Sequence, residues 1–210
     1  MTHLHFILLA FTSLLTMMNP ISVIPIYSSI TEELDKKMSK NIAFKATLSA
    51  FIILIIFAFA GHIIFNIFAI SVNGLRVVGG FLFFGMGYDM LQAKISRIKK
   101  PKKDIKEFES DVAITPLGIP LICGPGAITV TMILVQDANS WLNKGLLVLT
   151  ILIVLTIVYF SLISSKKILA LFGPSGTKVM MRIMGLIVMV IGVEFFFAGV
   201  KPFIQEIFKL

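Results

Sequence analysis

The sequence predicts an all-α polytopic membrane protein: six transmembrane helices in two inverted three-helix repeats, with helices one and four broken. Three observations lead there. Of 210 residues, 57% are hydrophobic and 14% charged, and the mean hydropathy is +0.97. A soluble domain carries about 25% charged residues and has no interior able to hide so much apolar surface. Six stretches reach the roughly 20 apolar residues that cross a hydrocarbon core about 30 Å thick. The basic residues gather in alternate loops. The same apolarity excludes disorder. The single Cys123 excludes an intramolecular disulfide, a Cys-x-x-Cys redox centre and a cysteine-based zinc site.

The first stretch, residues 6–28, holds Pro20 and Pro25 within an apolar run. It reads as helix one and not as a signal peptide, because residues 1–5 carry no Lys or Arg and no small-residue cleavage motif precedes the next loop. The second and third stretches, residues 46–67 and 72–91, are separated only by residues 68–71, which implies a tight hairpin. These three form a first repeat over residues 1–91. Residues 92–113 are the candidate linker, basic at its start and acidic at its end (RIKKPKKDIKEFESD). It reads as a solvated tether; the other reading is a docking or lipid-binding tail. A second repeat, residues 114–210, contains stretches 114–135, 145–163 and 183–200.

Charge sets the expected orientation. Loop one holds Lys36, Lys37, Lys40 and Lys45. Loop three holds Lys94, Arg97, Lys99, Lys100, Lys102, Lys103 and Lys106, and loop five holds Lys166, Lys167 and Lys178. The opposite side has only Lys144, Lys201 and Lys209. The positive-inside rule puts loops one, three and five in the cytoplasm, and six spans then leave both termini outside. The net charge of +8 accordingly marks cytoplasmic loops and anionic lipid heads, with no nucleic acid partner expected.

The halves resemble each other. Asn19-Pro20 falls over Gly124-Pro125. RVVGGFLFFGMGYDML from Arg76 falls over RIMGLIVMVIGVEFFF from Arg182, with Gly79 over Gly185. The offsets are 105 and 106, half the chain. Three spans per repeat is an odd number, so consecutive copies enter the membrane in opposite directions, as in many secondary transporters.

The helix breakers locate a candidate site. Proline removes an amide donor and clashes with the preceding turn. Helix four adds Pro116, Pro120, Pro125, Gly118, Gly124 and Gly126. Freed carbonyls in hydrocarbon must face protein, a cavity or a ligand. Paired breaks in two halves therefore point to a binding site near the midplane, where half-helix N-termini bind anionic groups such as a carboxylate. Thr12, Thr16 and Asn19 share one face of helix one; Thr115, Gly118, Gly126 and Thr129 lie near one face of helix four. The candidate substrate-binding residues are Thr16, Asn19, Pro20, Gly124, Pro125, Gly126 and Thr129. Neutral polar faces of this kind suit a small zwitterion; the alternative is hydrogen bonding between helices. Gly80 and Gly87, with Gly185, Gly192 and Gly199, recur every seven residues and read as close helix packing. The alternative is a smooth surface along which one repeat slides. The 19 phenylalanines read as lipid-facing bulk.

Charges inside spans default to functional hypotheses. Arg76, Asp89, Arg182 and Glu194 are candidates for gating or proton coupling, with interfacial anchoring as the alternative. His62 is a further candidate relay. No catalytic residue, cofactor or metal is expected: a second intramembrane aspartate, His-Glu-x-x-His, a Gly-x-Ser-x-Gly elbow and a P-loop are all absent.

With NPISVIPIY (19–27), RVVGGFLFF (76–84) and PLGIPLICGPGAI (116–128), the chain resembles the MarC family and the SnatA-type small neutral amino acid transporters within it. The resemblance covers essentially the whole chain and falls on Asn19, Pro20, Pro25, Arg76, Gly79, Gly80, Pro116, Pro120, Gly124, Pro125 and Gly126. It implies a six-span protein of the inner membrane, allied to the amino acid exporters. The expectation is a secondary transporter of a small neutral amino acid, moved with or against protons. The alternatives are export of other small metabolites or drugs, or a non-transporting scaffold or accessory protein.

Overall fold

Pro20 and Pro125 each open a new helix, and these two breaks organise the chain. The structure is a computed structural model that describes residues 3–32, 34–92, 111, 113–138, 140–171 and 173–208. Nine helices appear among them. They are α1 (His3–Met18), α2 (Pro20–Ile30), α3 (Lys36–Ile67), α4 (Val72–Leu91), α5 (Ala113–Ile122), α6 (Pro125–Asp137), α7 (Trp141–Ile163), α8 (Ser165–Ala170) and α9 (Gly173–Phe208). Residues 93–110, most of the expected linker, lie outside the described residues.

Four helical segments are long and apolar enough to cross a bilayer: His3–Ile30, Lys36–Ile67, Trp141–Ile163 and Ser175–Phe208. The pair α5 and α6, bent by 59°, makes a fifth when counted as one broken span. The expected third span is helical over the expected range, Val72–Leu91. Its 20 residues rise about 30 Å. Asn73, Arg76, Asp89 and five glycines leave it less apolar than the others.

α3 and α7 overrun their apolar cores because polar caps start them early. Asp35 accepts from the Met38 amide at 2.6 Å and begins α3 ten residues before the apolar run. Lys36, Lys37, Lys40 and Lys45 therefore ride on the first turns of α3. Ser140 caps α7 by accepting from the Asn143 amide at 3.2 Å, and Ser71 caps α4 through the Gly74 amide at 2.9 Å. The helix expected as the sixth span, α9, is 36 residues long against the 18 of its apolar run.

The interior is built from small and branched residues of α1, α3, α6 and α7. Ala10, Leu14, Ala43, Ala46, Ala50, Leu54, Ile151 and Val154 are fully buried. Large apolar side chains such as Ile63, Phe81, Val190 and Phe197 cover the outside, the surface a lipid-facing protein presents. α5 is the least regular element. Thr115 (φ −130°) and Ile119 (φ −128°) leave helical geometry, and the Cys123 amide reaches back to the Gly118 carbonyl at 2.8 Å.

α4 and α9 pack against each other along their lengths. Glycines set their separation. A Cβ on Gly87 would lie 2.6 Å from the Gly185 carbonyl oxygen, and one on Gly199 would lie 2.7 Å from the Asn73 carbonyl oxygen. The α4 positions fall by seven as the α9 positions rise by seven, so the helices run antiparallel with a heptad-like register. Gly79 points elsewhere, against the ring of Pro125 in α6.

Candidate functional site

The break between α1 and α2 starts with Pro20. Its nitrogen carries no hydrogen, so the Thr16 carbonyl loses the donor that would continue α1. Asn19 absorbs the change of direction in the left-handed region (φ 37°, ψ 70°), a conformation asparagine tolerates better than most residues. Its amide still closes α1 on the Leu15 carbonyl at 3.0 Å, and its carbonyl accepts from the Ser22 amide at 3.0 Å. Its side chain makes no capping bond to α2. Further along, the Tyr27 hydroxyl donates to the Ser39 carbonyl at 2.7 Å and pins α2 to the start of α3.

A cavity of about 70 Å³ opens at this break. Thr16, Met17, Met18, Asn19, Ser22 and Val23 form one side. Phe83 of α4, Leu121 of α5, and Val188 and Ile191 of α9 form the other. No lining residue carries a charge. Thr16 donates its hydroxyl to the Thr12 carbonyl at 2.7 Å and keeps its oxygen lone pairs as acceptors. Ser22 is only 4% exposed, and its hydroxyl finds no hydrogen-bond partner among the described residues.

The second break has the same chemistry and a different fate. Gly124 precedes α6 in extended geometry (φ −78°, ψ 171°), and Pro125 opens the helix. A Cβ on Gly124 would lie 2.7 Å from Cζ of Phe83; one on Gly126 would lie 2.8 Å from Cζ of Phe195 and 2.9 Å from Sδ of Met17. The Phe83 and Phe195 rings stack edge to face with centroids 6.2 Å apart. Two aromatic rings thus cover the second half-helix N-terminus.

The candidate binding residues therefore separate. Thr16 and Asn19 line the cavity, and Pro20 begins α2 beside it. Gly124 and Gly126 stand one layer back, behind Phe83 and Met17, which do line it. Pro125 is buried against Gly79. Thr129 is buried in α6 without a hydroxyl partner among the described residues, as is Thr131. Neither lines the cavity.

The charged candidates stand apart from it. Asp89, Arg182 and Glu194 are exposed on α4 and α9, and Arg76 is half-buried. The antiparallel register brings Asp89 level with Arg182 at one end and Arg76 level with Glu194 at the other. His62 is exposed on α3 and hydrogen-bonds Asn66 at 3.2 Å. Among the described residues, no three His, Cys, Asp or Glu side chains gather as a metal site.

Sequence reasoning missed Ser22 and Phe83. Ser22 lies three residues after Asn19, continuing the Thr12–Thr16–Asn19 spacing across the break, and that continuation was the available signal. Phe83 differs from the lipid-facing phenylalanines in being buried. Nothing in its sequence position separates it from the exposed Phe81 and Phe84.

The profile of the MarC family integral membrane protein matches residues 4–204. A UPF0056 membrane protein of Methanocaldococcus jannaschii is 39% identical over 94% of this chain and 87% of its own length. The UPF0056 membrane protein YvbG of Bacillus subtilis is 36% identical over 93% of this chain and 94% of its own. A Pyrococcus horikoshii UPF0056 membrane protein is 34% identical over 92% of this chain and 94% of its own. No solved structure matches the chain. By the extent of the profile match and of these likenesses, the chain belongs to the MarC family of multi-pass integral membrane proteins.

Proposed function

We propose that the protein is a secondary transporter of small neutral amino acids in the inner membrane, built as six spans in two inverted repeats. The observation that carries the reading is the cavity at the α1–α2 break. It is enclosed by both halves of the chain, and its polar groups, Thr16, Asn19 and Ser22, are all uncharged. An uncharged polar site suits a substrate with no net charge, because an isolated ion transferred there would lose hydration without a counter-charge. The apolar walls leave no partner for a charged side chain.

Packing supports the repeat and refines its alignment. Gly80 and Gly87 occupy the α9-facing positions of α4, while Gly79 faces α6. The equivalent residues are then Gly80 with Gly185 and Gly87 with Gly192, at the 105-residue offset that also relates Pro20 to Pro125. Gly79 over Gly185 is one residue out of register. Under the 105-residue offset Phe83 is equivalent to Val188. Phe83 covers the second break and also borders the cavity at the first, where its equivalent Val188 presents a smaller isopropyl group.

Alternating access in this arrangement moves the α4–α9 pair as a unit. The pair touches the remaining helices mainly through α2, α6 and α8, and its own interface is backbone against backbone. Arg76, Asp89, Arg182 and Glu194 all lie on this unit and are the candidate gating or proton-coupling groups. Flux in proteoliposomes with a labelled amino acid panel, with and without a pH gradient, tests the reading. Saturable uptake of small neutral amino acids is expected. No flux under any gradient, with stable co-purification of one partner, favours a scaffold; flux of other metabolites alone favours the exporter alternative.

A further inference from the structure

The two helix ends that meet at the cavity have opposite polarity. The last carbonyls of α1 carry the partial negative charge of a helix C-terminus, and the first amides of α2 carry the partial positive charge of an N-terminus. Thr16, Met17 and Met18 from the first end and Ser22 and Val23 from the second all line the same space. Pro20 removes the donor for the Thr16 carbonyl. The first amides of α2 have no intrahelical acceptor, and the Asn19 side chain does not cap them.

Ser22 is the second and independent sign of a ligand. A serine in a helix ordinarily returns its hydroxyl to a carbonyl of the preceding turn, as Thr12 and Thr16 do here at 2.8 and 2.7 Å. Ser22 does not. A buried hydroxyl left unmatched is costly, and this one borders the cavity at the positive end of an 11-residue helix.

We infer that the cavity seats its occupant as a zwitterion across the break: carboxylate on the Ser22 hydroxyl at the N-terminal end of α2, ammonium on the terminal carbonyls of α1 and the Asn19 side-chain oxygen. This rests on the transporter reading and adds the orientation of the substrate and the residue that recognises its carboxylate. Neither a lone anion nor a lone cation is matched, because each satisfies one helix end and leaves the other facing Val23, Phe83, Leu121, Val188 and Ile191. A zwitterion satisfies both.

Binding to the purified full-length protein tests the seat independently of flux, with alanine, alaninamide, propionate and ethylamine as probes of similar size. Alanine is expected to bind, and each of the other three at least about tenfold more weakly, since hydrogen bonds to charged groups are the strong ones. Ser22→Ala is expected to weaken alanine binding about tenfold while leaving the ligand-free melting temperature unchanged or higher, because the hydroxyl has no partner to lose among the described residues. Ser22→Thr is expected to retain binding. Equal binding of alanine by wild type and Ser22→Ala, or of alaninamide and alanine by wild type, overturns the seat while leaving an amino acid occupant in place. Wild-type protein that binds none of the four overturns the seat and the amino acid occupant together. Transport of an unrelated metabolite in the flux assay then shows whether the transporter reading survives.

Discussion

Gly80 and Gly192 meet backbone to backbone. A Cβ built on Gly80 would lie 2.5 Å from the Gly192 carbonyl oxygen, and one built on Gly192 would lie 2.7 Å from the Gly80 carbonyl oxygen. No rotamer change relieves such a contact, because the obstructing atoms are main chain. Without water between them, lipid-embedded helices associate largely through packing of this kind. α4 and α9 are therefore locked in register, which argues against the reading of their glycine stripes as a sliding surface.

Gly80→Val is expected to force the pair apart and cost on the order of 1–3 kcal/mol, the usual range for overpacking. Gly85→Ala is the matched control. Nothing lies within 4 Å of its added methyl group, and replacing glycine in a helix gains up to about 1 kcal/mol. Thermal melts in detergent should show a loss for the first and no loss for the second. Equal stability of both variants removes the interlock.

The Tyr27 hydroxyl holds α2 against the start of α3 through a buried bond of 2.7 Å to the Ser39 carbonyl. Tyr27→Phe is expected to cost about 1 kcal/mol, the net worth of a typical intramolecular hydrogen bond. Because α2 carries one wall of the cavity, ligand affinity should fall as well. An unchanged melting temperature together with unchanged affinity would show that this bond does not position α2.

Orientation rests on the one-sided basic residues of loops one, three and five. A reporter fused after Leu210 should be active only in the form that works outside the cytoplasm, given an even number of spans. Activity of the cytoplasmic form would remove the six-span topology, with α4 the first span to doubt because it is the least apolar.

Much of the architecture was legible because its causes are local. Pro20 and Pro125 lack the amide that would continue the preceding helix, so both breaks fall at prolines the sequence singles out, whereas Pro25 and Pro202 lie inside α2 and α9 without ending them. α4 keeps its expected bounds because Ser71 and the polar Gln92 flank it. The ends of α3 and α9 were not legible from hydropathy, since Asp35 and the basic first turns extend helices beyond the apolar core without altering its apolarity. At the site, Thr16 and Asn19 were readable from spacing. The retreat of Gly124 and Gly126 behind Phe83, Met17 and Phe195 was not. It depends on which rings α4 and α9 bring to the second break, a tertiary fact absent from either segment alone.

Asp89→Asn and Glu194→Gln separate anchors from proton carriers. Neither side chain borders the cavity, so counterflow exchange should persist in both variants. If these acids carry the coupling proton, accumulation driven by a pH gradient is lost. Full accumulation in both leaves them as interfacial anchors.

The central claim is that the space at the α1–α2 break holds the transported substrate, and Val188→Phe tests it most directly. Val188 borders a cavity of about 70 Å³, and a phenyl ring there fills most of it, as Phe83 already fills the second break. Uptake of labelled alanine into proteoliposomes should be saturable with wild-type protein and lost with Val188→Phe at equal reconstitution and unchanged melting temperature. Wild-type uptake by a stable Val188→Phe protein would contradict the account.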